Sequence, residues 1–290
     1  MTKLTVKAFF DRFPDDNVCL QHVMDLRYGR VRDCPKCGKA TEFYPLTRRP
    51  AYSCKLCGHH IYPCAGTPFE RTRTPLQSWF YAIYLFTTTR HGVPAKELQR
   101  QLGVTYKTAW RMGHEIRKYM GMVDGDGGLS GTVEVDETYV GGKEHGLKKE
   151  MGRPSALSKK TAVFGMVERG GDVMTRVVPE CKTATLIPII EDNVEKGTLI
   201  NSDENKIYRN VRKLGYGHVT VNHSAGEYVR GPAYTNNIEG FWSHFKNSVR
   251  GTHKSISRKH MQKYLVEFEF RFNLRGPQAP TMFDRLIQSF

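Results

Sequence analysis

Of three acidic residues, Asp136 and Asp203 stand in contexts that suit chemistry better than solvation, whereas Glu239 by itself reads as an ordinary solvent-facing helix glutamate and gains its interest only beside the other two. Asp136 lies inside Val-Glu-Val-Asp-Glu-Thr, where an aspartate is disfavoured in a strand of valines. Asp203 lies inside Ile-Asn-Ser-Asp-Glu, and its alternative role is the N-cap of a following helix. Glu239 lies inside Thr-Asn-Asn-Ile-Glu-Gly-Phe-Trp, with 35 residues between it and Asp203. Carboxylates gathered in one place repel one another and resist joint desolvation. Their usual justification is a pair of hard divalent cations, which take oxygen ligands. Two such ions about 3.5–4 Å apart activate a nucleophile and stabilise a leaving oxygen in phosphoryl transfer. The rival carboxylates Glu134, Glu137, Glu204 and Glu227 are read as surface groups or as supports of the three.

A second constellation is made of cysteines. Cys34-Pro-Lys-Cys37 and Cys54-Lys-Leu-Cys57 are separated by 16 residues, and a glycine follows each pair (Gly38, Gly58). Each pair sits on a tight turn that aims two thiolates at one point, and four thiolates complete the tetrahedron Zn²⁺ accepts. Four protein ligands leave no open position, so the zinc is expected to be structural. The stretch between the pairs has few apolar residues (Phe43, Tyr44, Tyr52), so metal binding must supply its folding energy. Cys64, His59 and His60 lie close behind as substitute ligands, while Cys19 and Cys181 read as buried small hydrophobes.

The elements that must position these groups are legible in outline. Leu76 to Thr89 is apolar on most sides and reads as a packed helix, broken at Gly92-Val93-Pro94. Lys96 to Leu102 is a short helix, Gly103-Val104 a turn, and Thr105 the N-cap of a helix running to about Met120. On that helix Ala109, Met112, Ile116 and Met120 share one face. Tyr106, Lys107, Arg111, His114, Arg117 and Lys118 are expected on the remaining surface. This is a helix-turn-helix pattern with DNA-contacting candidates Tyr106, Lys107 and Arg111. Gly121 to Gly131 has the composition of a linker.

Beyond it, strands are expected at 132–140, 162–168, 173–178, 198–202 and 218–222, the second and third joined by an Arg169-Gly170-Gly171-Asp172 hairpin. Helices are expected at 183–195 and 205–214, and again from about Asn236. Three strands followed by alternating helices and strands predict a mixed five-stranded sheet with helices on both faces, an order similar to the ribonuclease H fold. The domain reading is therefore 1–66 with the zinc ribbon, 67–122 with the helix-turn-helix, a linker at 123–131, and an α/β domain over 132–290 carrying a basic loop at 141–160.

The chain has 290 residues and a net charge of +15. Residues 1–123 carry net +11, residues 124–232 net −1 and residues 233–290 net +5. A basic head and tail around a neutral, carboxylate-bearing middle suit a polyanion held at the ends and worked on at the centre. Lys148, Lys149 and Arg153 in the basic loop, and Arg250 with Lys254, Arg258, Lys259 and Lys263 near the end, are candidate phosphate contacts. Trp242 is expected in the core. Hydrophobic residues make up 39% and charged residues 25%, which argues against wholesale disorder. The longest apolar run, Trp79 to Phe86, is far short of the ~20 residues of a membrane span, and the opening residues do not resemble a signal peptide. A cytoplasmic, nucleoid-associated location without membrane contact is the expectation.

At this point the residues resemble a family. Cys34 to Cys57, Leu102 to Arg117, Val133 to Gly142, Asn201 to Tyr208, His218 to Ser224, Tyr234 to Lys246 and Tyr264 to Arg275 are similar to the DDE transposases of bacterial insertion sequences. The similarity is to the group with an amino-terminal zinc ribbon, the ISXO-like group. It implies a metal-binding triad at Asp136, Asp203 and Glu239, with two Mg²⁺ (or Mn²⁺) ions and one structural Zn²⁺. It also implies a basic residue seven positions after the glutamate, Lys246. Seven residues is close to two helical turns, so Lys246 shares a face with Glu239 and could contact DNA phosphate. One departure is the pair Asn236-Asn237, where the group often begins its motif with His-Thr-Asn. The resemblance further implies double-stranded DNA as partner (terminal inverted repeats and target) and a homo-oligomer that pairs two ends. Metal-assisted hydrolysis would free a 3′-OH, which is then joined to target DNA. A structure-specific nuclease of ribonuclease H type and a non-catalytic zinc-ribbon regulator are the competing readings.

Overall fold

A computed structural model of the chain describes residues 4–29, 32–123, 127–141, 160–221, 234–275 and 281–290. These fall into two compact units. One comprises the described residues of Met1–Thr89, Val93–Tyr119 and Pro277–Phe290, the other those of Arg90–Gly92 and Met120–Gly276.

The first unit opens with helices α1 (Val6–Arg12) and α2 (Asp16–Tyr28), capped by the side chains of Thr5 and Asp15. Short antiparallel strands follow: β1 (Arg32–Asp33) with β2 (Ala40–Thr41), then β3 (Phe43–Pro45), β4 (Tyr52–Cys54) and β5 (His60–Ile61). Helix α3 (Leu76–Thr88) buries eight side chains from Leu76 to Phe86, as its all-round apolar character demands. Helices α4 (Ala95–Leu102) and α5 (Tyr106–Val123) make the helix-turn-helix pair. Thr105 caps α5 by accepting the Thr108 N–H at 3.2 Å, and Ala109, Met112, Ile116 and Met120 are fully buried. Helix α5 runs three residues beyond the expected end at Met120, because the stretch read as a linker from Gly121 begins in helical conformation.

The second unit is built on strands β6 (Thr132–Val140), β7 (Thr161–Glu168), β8 (Val173–Val178), β9 (Leu199–Ser202) and β10 (Gly217–Thr220). Their order across the sheet is β10-β9-β6-β7-β8. The pairs β10–β9 and β9–β6 are parallel, and β6–β7 and β7–β8 antiparallel. This is the mixed five-stranded, ribonuclease H-like order expected from the element sequence. On one face, helix α6 (Thr183–Asn193) and a 3₁₀ helix (Lys206–Leu214) pack on Val133, Val135, Phe164 and Ile200. On the other, helices α7 (Asn236–Ser248) and α8 (Arg258–Asn273) pack on Val140, Val163 and Val167 through Ile238, Trp242, Phe245 and Leu265. Residues 206–214, read as an ordinary helix, are therefore 3₁₀, whereas Trp242 is in the core as expected.

The outer edge at β8 does not present free amides. The N–H groups of Val173, Thr175 and Val177 donate to Asn273 Oδ1 at 2.8 Å, Glu269 Oε1 at 2.5 Å and Gln262 Oε1 at 2.8 Å. Gln262, Glu269 and Asn273 share one face of α8, so the helix seals the edge that would otherwise template another strand.

The chain ends in helix α9 (Met282–Gln288), which belongs to the first unit. Phe283 meets Phe9, Phe13 and Phe80, and Arg12 pairs with Asp284 at 2.8 Å. The sequence reading continued the α/β domain to Phe290. The apolar stripe of Phe283, Leu286 and Ile287 is instead buried with α1 and α3.

Candidate active site and zinc centre

The two cysteine turns are built alike. Gly38 N–H donates to the Cys34 carbonyl at 2.8 Å and Gly58 N–H to the Cys54 carbonyl at 3.0 Å, with both glycines at positive φ (65° and 70°). The Sγ atoms of Cys34, Cys37, Cys54 and Cys57 all lie within 4.8 Å of one another, and Cys34 and Cys57 are 3.6 Å apart. Zn–S bonds of about 2.3 Å give sulfur–sulfur edges of roughly 3.8 Å in a tetrahedron, so the four thiolates fit a structural zinc. Cys64, His59 and His60 are not in that cluster. Burial pushes the Cys64 thiol up to about 11 and that of Cys19 up to about 12, as suits buried uncharged thiols. Cys181 is only half-buried, its thiol against Tyr139.

The carboxylates gather at the centre of the sheet in the second unit. Residues of a strand alternate between faces. Glu134, Asp136 and Thr138 therefore face α7, while Val133, Val135 and Glu137 face α6 and the 3₁₀ helix. Strand β9 runs parallel to β6 with Glu134 beside Asn201. Carried two residues further, that register brings Asp136 level with Asp203. Asp203 accepts the Asn205 N–H at 3.0 Å, and Asn205 caps the 3₁₀ helix through Ile207 N–H, so the capping role passes to Asn205. Glu239 stands in the first turn of α7 and accepts the Thr235 hydroxyl at 2.7 Å.

The charges of these groups act on one another. Burial, and then the charges of Glu137, Asp203 and Glu239, push the Asp136 carboxyl up to about 7. Glu137 is also raised, by burial and by Asp203, although Tyr208 Oη at 2.5 Å and Asn205 Nδ2 donate to it. Burial lowers the Lys246 ammonium; Asp136 works against that, and Arg250 and Lys160 add to it. Asp136 thus feels Asp203, Glu137 and Glu239, and acts on Lys246, which stands in its turn beside Arg250 and Lys160. Among the described residues, Cys34, Cys37, Cys54 and Cys57 are the one group of three or more potential ligands whose atoms all lie within 4.8 Å of one another, and Asp136, Asp203 and Glu239 do not form a second. An oxygen donor set of this kind, with an acid whose proton affinity burial and then its neighbours' charges raise, suits hard divalent cations.

Several residues differ from their sequence-based placement. Of the two readings of Glu134, a surface group or a support of the three, full burial excludes the first, and its carboxylate accepts from Arg169, Asn237 and Ile238. His114 and Arg117, expected on the open face of α5, are buried. Arg117 lies over the Phe86 ring at 4.9 Å and donates to the Val93 carbonyl. Tyr106, Lys107, Arg111 and Lys118 are exposed, and Trp110 joins them on that surface. Arg250, Lys254, Arg258, Lys259 and Lys263 are exposed as well, whereas Lys148, Lys149, Arg153 and Glu227 lie outside the described residues. Sequence reasoning missed Arg169, Asn237 and Gly165. The one signal for the first two was Glu134 itself, two residues before Asp136 and so on the same face.

Comparison with known proteins places these observations in a family context. Residues 128–273 match the family described as the ISXO2-like transposase domain, and residues 14–60 the transposase zinc-ribbon domain. A protein of Halobacterium salinarum, described as an uncharacterized protein in transposable element ISH50, is 25% identical over 95% of this chain and 97% of its own. An uncharacterized transposase-like protein of Haemophilus influenzae is 34% identical over 35% of this chain and 80% of its own. Among solved structures, the Mos1 strand transfer complex aligns over 72% of this chain and 74% of that one, at 12% identity and a TM-score of 0.30.

Proposed function

Because the chain belongs to the ISXO2-like transposase family, we propose that it is a DNA transposase acting on the terminal inverted repeats of an insertion sequence. The observation that carries the chemistry is the register of β6 against β9, which sets Asp136 level with Asp203, with Glu239 on the first turn of α7; burial first, then the charges of Glu137, Asp203 and Glu239, raise the proton affinity of Asp136. Asp136, Asp203 and Glu239 are the residues that would hold Mg²⁺ or Mn²⁺. Such ions, when bound, supply charge neutralisation and a more acidic water for phosphoryl transfer.

The chain's own residues do the remainder. Asp136 presents oxygens from β6, Asp203 from just past the end of the adjacent parallel strand β9, and Glu239 from the first turn of α7. Lys246, seven residues on along α7, faces the same region and pairs with a non-bridging phosphate oxygen. Arg250 and Lys160 extend that positive arc along the DNA backbone. Water attacks a phosphorus at the element's end, the P–O3′ bond breaks, and a 3′-OH is freed. That hydroxyl then attacks a target phosphodiester, displacing the target's own 3′ oxygen. Tyr106, Lys107 and Arg111 on α5 contact the inverted repeat, with the zinc ribbon as a further DNA-binding element. Two ends must be joined at one target, so the working form is a homo-oligomer of two or more copies.

A strand-transfer assay with Mg²⁺, paired element-end duplexes and a target plasmid tests this. The full chain is expected to cut and join, whereas Asp136→Asn and Asp203→Asn bind the ends and do neither. Cutting without joining would favour a structure-specific nuclease. End binding with no metal-dependent cutting by the unaltered chain would favour a non-catalytic regulator.

A further inference from the structure

We infer that Glu134, Arg169 and Asn237 form a clamp that fixes Glu239 relative to Asp136, which makes Glu134 a positioning residue for the metal site. This rests on the reading of that site given above. Glu134 is fully buried, and a buried carboxylate is costly unless every oxygen is satisfied. Here Oε1 accepts from Arg169 Nε at 2.9 Å and Asn237 Nδ2 at 2.8 Å. Oε2 accepts from the backbone N–H groups of Asn237 at 2.9 Å and Ile238 at 3.2 Å.

Those two amides belong to the first turn of α7, where donors have no partner within the helix. The preceding Thr235 makes no side-chain cap to them, because its hydroxyl goes to Glu239 Oε1. A carboxylate from β6 takes that place and also meets the positive end of the helix dipole. Asp136 is two residues along the same face of the same strand, and Glu239 is the residue after Ile238. One rigid strand therefore carries one ligand and grips the helix that carries another. Arg169 closes the arrangement. Its Nη2 donates to the Tyr234 carbonyl at 2.8 Å, its guanidinium lies 3.5 Å from the Tyr234 ring centroid, and its own N–H is bonded to the Thr132 carbonyl at the start of β6. A buried ion pair is often replaceable by apolar residues without loss of stability, and fixing registry is its best-attested use.

The chemistry of the clamp dictates the test. All four groups facing Glu134 are donors, so Glu134→Gln keeps the shape and puts a donor against donors. Mn²⁺ binding to the zinc-loaded full chain is followed by the magnetic resonance signal of the free ion, with thermal unfolding and element-end binding measured on the same samples. Asp136→Asn is expected to lose Mn²⁺ at this site. Glu134→Gln is expected to weaken it about 10–100-fold, as supporting residues of metal ligands do, while end binding persists. In a Glu239→Gln background the same change should cost little further, because the ligand it positions has been altered. If Glu134→Gln does not fold, Asn237→Ala, which removes one donor from an exposed residue, takes its place with a loss of at least about threefold. Unchanged Mn²⁺ affinity in Glu134→Gln, or in Asn237→Ala when that variant has to stand in for it, overturns the clamp and leaves the metal site standing, provided Asp136→Asn loses the ion. The same penalty with and without Glu239 shows a general structural role and overturns it too. Equal binding by Asp136→Asn and the unaltered chain overturns both the clamp and the site.

Discussion

The indole of Trp242 packs directly against the backbone of Gly165, the residue that pairs with Asp136 across β6 and β7. A methyl group at Gly165 would stand 2.8 Å from Trp242 Cη2 and 2.9 Å from Ile238 Cδ1. Only a glycine lets α7 lie this close to the sheet, and α7 carries Glu239, whose charge acts on Asp136. Gly165→Ala is therefore expected to destabilise the second unit by about 1–3 kcal/mol, the usual range for overpacking. Denaturant unfolding measures that loss, and Mn²⁺ titration of the folded fraction should show weaker binding as α7 is displaced. Full stability with unchanged affinity would show that α7 tolerates the shift.

Asp136 makes the metal-free protein sensitive to pH. Its folded value of about 7 lies above the ordinary carboxylate value of about 3.9, so folding favours its protonated form. The stabilising contribution is present in full below about pH 4 and is lost as pH rises through 7. Between those limits one such group changes stability by at most about 1.4 kcal/mol per pH unit. Hydrogen exchange in β6 of zinc-loaded protein without Mg²⁺ should quicken from pH 5 to pH 8 beyond its intrinsic rate. Saturating Mg²⁺ should reverse the change at pH 8, and Asp136→Asn should remove it. A pH-independent protection of β6 would contradict the assignment.

Zinc should matter to one unit only. Structural zinc contributes on the order of 10–16 kcal/mol of apparent folding free energy in small sites. Cys37→Ser or a strong chelator is expected to release the ion and expose the amides of β1 to β5. Protection across β6 to β10 should persist, since no cysteine of the cluster lies in that unit. Mass-resolved hydrogen exchange reads both units in one experiment. Loss of protection throughout the chain would mean that the units do not fold separately.

On α5 two arginines six residues apart should behave differently. Arg111 is exposed, and Arg111→Ala is expected to weaken end binding and lower the dependence of log affinity on log salt by about one. Lys107→Ala should act the same way. Arg117 is buried over Phe86, so Arg117→Ala should lower the melting temperature of the first unit instead. A salt slope altered by Arg117→Ala but not by Arg111→Ala would reverse these roles.

Much of this molecule is legible in its residues because much of it is local. The spacing of Cys34, Cys37, Cys54 and Cys57 announces a four-thiolate cluster, since each pair needs only its own turn. The alternation of strands and helices after Thr132 leads to the five-stranded order, because handedness and short connections leave few ways to assemble it. Asp136 stands out because an aspartate is disfavoured among the valines of a strand, and Asp203 because it closes one. The burial of Arg117 and the return of α9 to the first unit were not legible. Both depend on aromatic surfaces supplied from far along the chain, Phe86 in one case and Phe9, Phe13 and Phe80 in the other.

The linear order of residues, then, determined which side chains could bind metal and which elements would carry them, since motif spacing and hydrophobic period act over a few residues. Only the tertiary structure decided what Glu134, Gly165 and Asn237 do. Each is defined by a partner on another element: a carboxylate under a helix end, a missing Cβ beneath an indole, an amide facing a strand. Such roles arise when distant segments are pressed together and every buried polar group must find its match.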